Sequence, residues 1–336
     1  MHSLVRLVVL SVLTQPLSSL AKLYENPRQL PNRTYDYIVI GGSTAGSVVA
    51  SRLTEDSDIS VLLLEAGGSN DGIFKSMVPG LVKQLGMESQ LDWNYTITPQ
   101  PGYNGRALLC PREYAAVSGD EGWNWENIQK YILRNEKFVP PADNHNTTGQ
   151  YNPSKHEYDG AVAITLPGYP LPIDKRVIAT ASELPDEFPY INETSGGDIL
   201  GVGWWLETNG NRIRNSAATV YLRPAMNRPN LDIFVEYEAA LFYHTTARHE
   251  VILPAGAVGT PVFMQLLGIG DISDLDKFGI ETIVHKPSVS EHPRLSNVFR
   301  ISSNETYDEL FRNPDLLDLA IARWNDSRTG PLRILL

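Results

Sequence analysis

The chain has 336 residues, 42% of them hydrophobic and 20% charged, with a net charge of −11. That composition supports a buried core and excludes global disorder, and the length suits one large domain or two ordinary ones. An acidic balance with no Lys/Arg block argues against a nucleic-acid partner and otherwise serves solubility.

Residues 1–21 carry Arg6, an apolar run from Leu7 to Leu13, and small residues at Ser19 and Ala21. This is the pattern of a secretory signal peptide cut after Ala21, set against the alternative of a buried N-terminal helix. The run is too short to span a bilayer, and no later segment reaches the roughly 20 apolar residues needed. N-x-[ST] sequons stand at Asn32, Asn94, Asn146, Asn192, Asn304 and Asn325, in keeping with a secretory route. The expected location is extracellular, with no membrane association after cleavage. Cys110 is the single cysteine, so no intrachain disulfide can form, and it reads as a buried structural thiol.

Residues 22–34 (KLYENPRQLPNRT), polar with two prolines, read as a linker. Tyr35–Ile40 is an apolar run before glycines and predicts a buried strand. Ser43–Leu53 sets Ala45, Val48, Val49 and Leu53 at helical spacing, with Ser43 or Thr44 able to cap it. Ile59–Leu64 predicts a second buried strand ending at Glu65. Strand, helix and strand in so short a span make a βαβ unit with parallel pairing. From Leu91 to Pro153 only Trp125–Phe138 reads as helical. Ala161–Leu166 alternates like a half-buried strand, and Ser216–Leu222 leads to a strand at Leu231–Tyr237. Glu250–Leu253 is a short strand, followed by a helix from Thr260 to Leu267 that Gly268 and Gly270 stop.

The chemistry is concentrated in IVIGGSTAG, where a G-x-G-x-x-G pattern begins at Gly41 and ends at Gly46 with Ser43 in place of its second glycine. Gly41 permits the tight turn, and Gly46 lets the helix sit close to the strand. The helix N-terminus offers free N–H groups and a positive dipole end to a pyrophosphate. Glu65, at the end of the next strand, can accept hydrogen bonds from ribose hydroxyls. Ser43 adds a Cβ where the backbone should approach phosphate, offset in part by its hydroxyl; weaker binding is expected. The alternative is a glycine-rich turn that only eases packing. Glu65 suits NAD or FAD. The secretory signal favours FAD, because a flavin stays bound and is reoxidised in place, whereas a nicotinamide must exchange with a cellular pool.

The segments DYIVIGGSTAGSVVASRLTEDSDISVLLLEAGG, LDWNYTITPQPGYNGR, GWNWENIQKYILRNEKFVPP and VILPAGAVGTPVFMQLLGIG resemble, in that order, segments of the glucose-methanol-choline (GMC) oxidoreductases, with the flavour of the fungal aryl-alcohol-oxidase-like branch. The resemblance runs with gaps from about Tyr35 to Pro331. It implies an α/β fold: a Rossmann-like FAD-binding domain (35–150 and 216–292) with an incomplete α+β substrate domain (151–215 and 293–336). It implies a secreted FAD enzyme that takes hydride from an alcohol onto flavin N5. Gly41, Gly42, Ser43, Thr44, Ala45, Gly46, Glu65 and Ala66 would hold the ADP half of FAD, with Ala255 and Gly256 beside it and Ala239 near the adenine.

The departures from the family pattern are specific. The flavin loop expected after Arg112 is missing between Arg112 and Gly122, and the chain ends before the family's catalytic histidine. None of His145, His156, His244, His249, His285 or His292 matches that position; His145 reads as a surface loop residue and His292 as part of a structural His-Pro region. No histidine pair has metal-ligand spacing, and Asp186 and Glu187 read as a solvated, Pro-bounded turn. The chain as given is therefore expected to show no useful turnover. The alternatives are a non-catalytic remnant and an incomplete gene model of such an enzyme, with a nicotinamide-dependent dehydrogenase last.

Overall fold

The computed structural model describes residues 22–85, 119–194, 200–235, 244–286 and 306–333. The expected signal peptide, Asn94, Cys110, most of the Arg112–Gly122 stretch, Ala239, His292 and Asn304 lie outside the described residues. The chain divides into two compact units, Met1–Ala66 with Tyr221–Pro254, and Gly67–Val220 with Ala255–Leu336.

The first unit is built on five parallel strands: β1 (Lys22–Tyr24), β2 (Tyr35–Ile40), β3 (Val61–Leu64), β4 (Leu231–Phe234) and β5 (Ala247–Ile252), in the order β1-β4-β3-β2-β5. Helix α1 (Thr44–Leu53) connects β2 to β3. Register is continuous through the middle of the sheet, with Tyr37 opposite Val61, Ile40 opposite Leu64 and Leu64 opposite Phe234. The run β4-β3-β2-β5 is the 3-2-1-4 order of a dinucleotide-binding half-sheet, so the turn after β2 lies where the strand order reverses.

The short apolar runs form strands because both faces of the sheet are covered. One face packs Val39, Val61, Leu63, Leu231 and Ile233 against Ala50 of α1 and Ala225. The other packs Ile38, Leu62 and Phe234 against Tyr24, Leu30 and Tyr35. The far end of α1 is tied down by a separate loop. Arg228 donates to the Ser51 carbonyl and, at 3.0 Å, to Thr54 Oγ1. The Asn230 side-chain amide donates to the Asp56 and Ile59 carbonyls, each at 2.8 Å.

Residues 22–34 are not a linker. Lys22–Tyr24 pairs in parallel with β4, and Asn26 caps a 3-10 turn over Pro27–Gln29. The segment is held by a buried carboxylate at the strand starts: Asp232 accepts from Arg33 at 2.6 Å, from the Tyr35 hydroxyl at 2.8 Å and from the Tyr24 hydroxyl at 3.3 Å. Burial and the bond to Asp232 push the Tyr35 hydroxyl above its ordinary value. Those contacts span about two hundred residues of sequence, which no local pattern announces.

In the second unit, helix α2 covers Trp125–Asn135 with the Asn124 side chain accepting from the Asn127 amide. The helix stops short of Phe138, because Glu136–Phe138 turns into a strand parallel to Val162–Ile164. Helix α3 spans Asp174–Glu183, α4 Gly256–Leu266 and α5 Pro314–Ser327. A small core forms where Trp324 of α5 packs with Val78, Leu81, Ala320 and Leu332. Phe74 meets the Trp324 ring edge-on at 5.3 Å.

Candidate functional site: the glycine turn after β2

The carboxyl ends of β2 and β3 carry the candidate site. Gly41 has φ of 112°, a left-handed geometry that only glycine adopts without strain, and its amide donates to the Leu64 carbonyl at 2.7 Å. The chain thereby turns sharply off the sheet into α1. Gly46 makes that turn compact: a Cβ there would lie 1.7 Å from the Gly41 carbonyl oxygen and 3.2 Å from Pro254 Cγ. Gly46 is buried in the seam between helix and turn, while Ser43, Thr44 and Ala45 are exposed.

A helix leaves its first-turn amides without intrahelical acceptors. Ser43 occupies the N-cap position of α1, but its side chain makes no capping hydrogen bond, which departs from the expected Ser43 cap. The positive end of the helix dipole is thus presented at the exposed Ser43–Ala45 stretch, the arrangement that suits an anion such as pyrophosphate.

Glu65 follows β3 and sits beside the turn. The Gly42 amide donates to Glu65 Oε2 at 2.6 Å, and the Glu65 amide donates to the Phe234 carbonyl at 2.8 Å. The Gly42 amide orients the carboxylate. A carboxylate accepts from several donors at once, so this contact fixes its direction toward the rim of the sheet. Ala66 is exposed next to it.

Ser47 was not anticipated. It is fully buried, and its hydroxyl donates to the Gly42 carbonyl at 2.6 Å, so the turn is fastened from the helix side as well. A serine one residue past the last glycine carries no sequence signal for that role. Ala255 and Gly256 open α4, with Gly256 at φ of 82°.

The histidines divide by environment. His145 is partly exposed rather than a free surface residue, lying 2.6 Å from Asp143 Oδ1 and 2.9 Å from Gln150 Oε1. His156 is buried, with its side chain 1% exposed. Its Nδ1 meets Glu136 Oε1 at 2.6 Å and its Nε2 meets Glu193 Oε2 at 2.9 Å. His249 is exposed on β5 against the Tyr37 ring. Asp186 and Glu187 are exposed in a turn. Among the described residues, no group of three or more His, Cys, Asp or Glu is placed to hold a metal ion. The second unit also holds a cavity of about 300 Å³ between Tyr169, Tyr307, Leu310, Leu316 and Arg323. Burial pushes the Tyr307 hydroxyl up, and among the described residues the group has no hydrogen-bond partner.

Sheet order, glycine turn, open helix terminus and following acid together define a dinucleotide-binding fold of the Rossmann type. No family model matches the chain. Curated relatives do. The chain is 32% identical over 375 residues to the dehydrogenase eriK of Hericium erinaceus, covering 96% of itself and 62% of that protein. It is 31% identical to pyranose dehydrogenase 3 of Leucoagaricus meleagris, covering 97% and 61%. It is 30% identical to the glucose-methanol-choline family oxidoreductase mfmG of Annulohypoxylon moriforme, covering 90% and 58%. The same fold occurs in a formate oxidase (TM-score 0.76, 22% identity, 91% of this chain and 61% of that one) and in an FAD-dependent oxidoreductase from Chaetomium thermophilum (0.74, 24%, 90% and 60%). A fungal aryl-alcohol oxidase also shares it (0.65, 21%, 91% and 61%). The chain is thus similar to glucose-methanol-choline family oxidoreductases at about 30% identity, and it spans about three fifths of the relatives it matches.

Proposed function

We propose that this chain binds FAD through the β2–α1–β3 unit and supplies the cofactor-binding portion of a secreted oxidoreductase acting on hydroxyl-bearing small molecules. The observation that carries the reading is the Gly41–Gly46 turn. It brings α1 so close to the strand that no side chain fits at Gly46, and it leaves the helix N-terminus uncapped beside an oriented Glu65. Ser43, Thr44 and Ala45 would face the pyrophosphate, and Glu65 would take the ribose hydroxyls. FAD, when bound, would supply the hydride acceptor. Relatives named as pyranose dehydrogenases support a sugar or another alcohol as the reduced substrate.

The residues here hold and orient; none of the described histidines stands at the glycine turn as a base. General acid–base assistance is worth about 10²–10⁴-fold, so binding without turnover is the expected behaviour of residues 22–336. The test is to express those residues, desalt, and record the flavin spectrum. Near-stoichiometric FAD supports the reading. A colourless protein that also fails to bind ADP in calorimetry sinks it and leaves the non-catalytic remnant. Peroxide formation from benzyl-type alcohols or sugars would overturn the expectation of inactivity.

Secretion belongs to the same proposal. Asn32, Asn146, Asn192 and Asn325 are all exposed, as glycan acceptors must be. No helix among the described residues is long and apolar enough to cross a membrane. A mass decrease on glycosidase treatment of protein secreted by a fungal host checks it.

A further inference from the structure

Gly42 is held at both ends. Its amide donates to Glu65 Oε2 at 2.6 Å, and its carbonyl accepts from the Ser47 hydroxyl at 2.6 Å. Ser47 is fully buried in α1. A helical serine commonly bonds the carbonyl four residues back, which here is that of Ser43. The Ser47 hydroxyl reaches one residue further, to Gly42, while its amide takes the Ser43 carbonyl at 3.1 Å. One buried residue thus grips two successive peptide groups of the turn.

The consequence follows from peptide geometry. The peptide joining Gly42 to Ser43 is trans, so its C=O and N–H point in opposite directions. A Gly42 carbonyl drawn toward buried Ser47 therefore turns the Ser43 amide away from the helix interior, and Ser43 itself is exposed. Ser43 is the N-cap residue of α1, and an amide at a helix start has no intrahelical acceptor. The Gly42 amide, by contrast, is committed to Glu65. Glycine has wide conformational freedom. Without the Ser47 bond the Gly42–Ser43 peptide can rotate, and a bound anion must then offset the cost of ordering it.

We propose that Ser47 is a positioning residue for the pyrophosphate of the cofactor. Its hydroxyl aims the Ser43 amide at the anion through the Gly42 peptide, and this gives the turn its preference for phosphate-bearing adenine ligands. Ser47 acts from within the helix and touches no ligand. The assignment rests on the reading of this turn as the FAD site.

The test compares ADP with adenosine on the full chain, in the parent, Ser47→Ala and Glu65→Gln. Ligand-observed NMR reads weak as well as tight binding. Ser47→Ala should bind ADP about tenfold more weakly, the order of one hydrogen bond to a charged group. Adenosine, which carries no phosphate, should bind it as it binds the parent. Glu65→Gln should weaken both ligands, because both carry the ribose. A variant that merely loosened the fold would also weaken both. Circular dichroism checks folding, and Ser47→Cys, a weaker donor, carries the same comparison if the alanine variant does not fold. Equal losses of ADP and adenosine, or an unchanged ADP affinity, would overturn the proposal and leave the cofactor site standing. A parent that binds neither ligand overturns the cofactor reading and this assignment with it.

Discussion

The Gly42 amide donates to Glu65 Oε2 at 2.6 Å, so the turn that follows β2 and the acid that follows β3 are one unit. Seen this way, the acid has two tasks. It holds the first part of the glycine turn against the sheet, and it is itself aimed by that turn. Ser47 completes the frame by donating to the Gly42 carbonyl from within α1.

Replacing Glu65 with Gln separates the two tasks. The amide oxygen can still accept from Gly42, so folding should lose only about 0.5–1.5 kcal/mol, the net worth of one ordinary hydrogen bond. Binding of ADP should fall by more, about tenfold or 1.4 kcal/mol, because the neutral group is a weaker acceptor for ribose hydroxyls. Urea denaturation and calorimetry with ADP read the two effects independently. An unchanged ADP affinity would confine Glu65 to the structural task.

Gly46→Ala tests the close approach. The new Cβ would fall 1.7 Å from a backbone oxygen, which no side-chain rotation relieves. Helix and turn must move apart, at a cost of about 1–3 kcal/mol for an overpacked site, and the phosphate-facing terminus moves with them. Gly42→Ala is the control: its Cβ would come 3.2 Å from Glu65 Cβ, a contact that a shift of a few tenths of an ångström relieves, and should cost less. Equal losses in the two variants would contradict the geometry.

The legible part of this molecule is the part whose stabilisation is local. Tyr35–Ile40, the helix ending at Leu53 and the strand ending at Leu64 could be read because runs of apolar residues, glycine spacing and a following acid sit within about 30 residues. The segment 22–34 could not. Its proline and polar residues look like a linker, yet Tyr24 and Arg33 are held by Asp232, far along the chain. His156 was silent for the same reason, since its carboxylate partners lie 20 and 37 residues away. The helical reading of Trp125–Phe138 failed at its last turn because Glu136–Phe138 pairs with a strand that the local sequence does not announce.

His156 offers a stability prediction in the second unit. Its ring is enclosed by Glu136, Glu193 and the Phe138–Tyr151 stack, whose rings lie 4.1 Å apart. His156→Leu would leave two largely buried carboxylates facing an apolar side chain. Leaving a buried polar group without its hydrogen-bond partner costs about 1–3 kcal/mol, more for a charged group, so chemical denaturation should show a loss of that order. Adding Glu136→Gln and Glu193→Gln should recover part of it, because the charges left stranded are then gone. A single variant as stable as the parent would show that the cluster contributes nothing to folding.

Asp36 sets an acid limit on the first unit. It accepts from the Ser60 hydroxyl at 2.6 Å, the Ser60 amide at 2.8 Å and Arg248 at 2.9 Å. Those bonds favour the ionised form, and the Ser60 hydroxyl is the largest cause holding the carboxyl below the ordinary 3.8. The folded state therefore binds this proton less tightly than the unfolded chain does. By linkage the stabilisation is present in full above 3.8 and is lost as pH falls through the lower folded value. Denaturation followed from neutral pH downward should thus show stability declining below about 3.8. In Asp36→Asn the neutral-pH stability should be lower and the decline shallower, since one titrating contribution is absent. If the variant keeps the parent's slope in that acid range, the strand-start contacts between Asp36, Ser60 and Arg248 are not what couples folding to the proton.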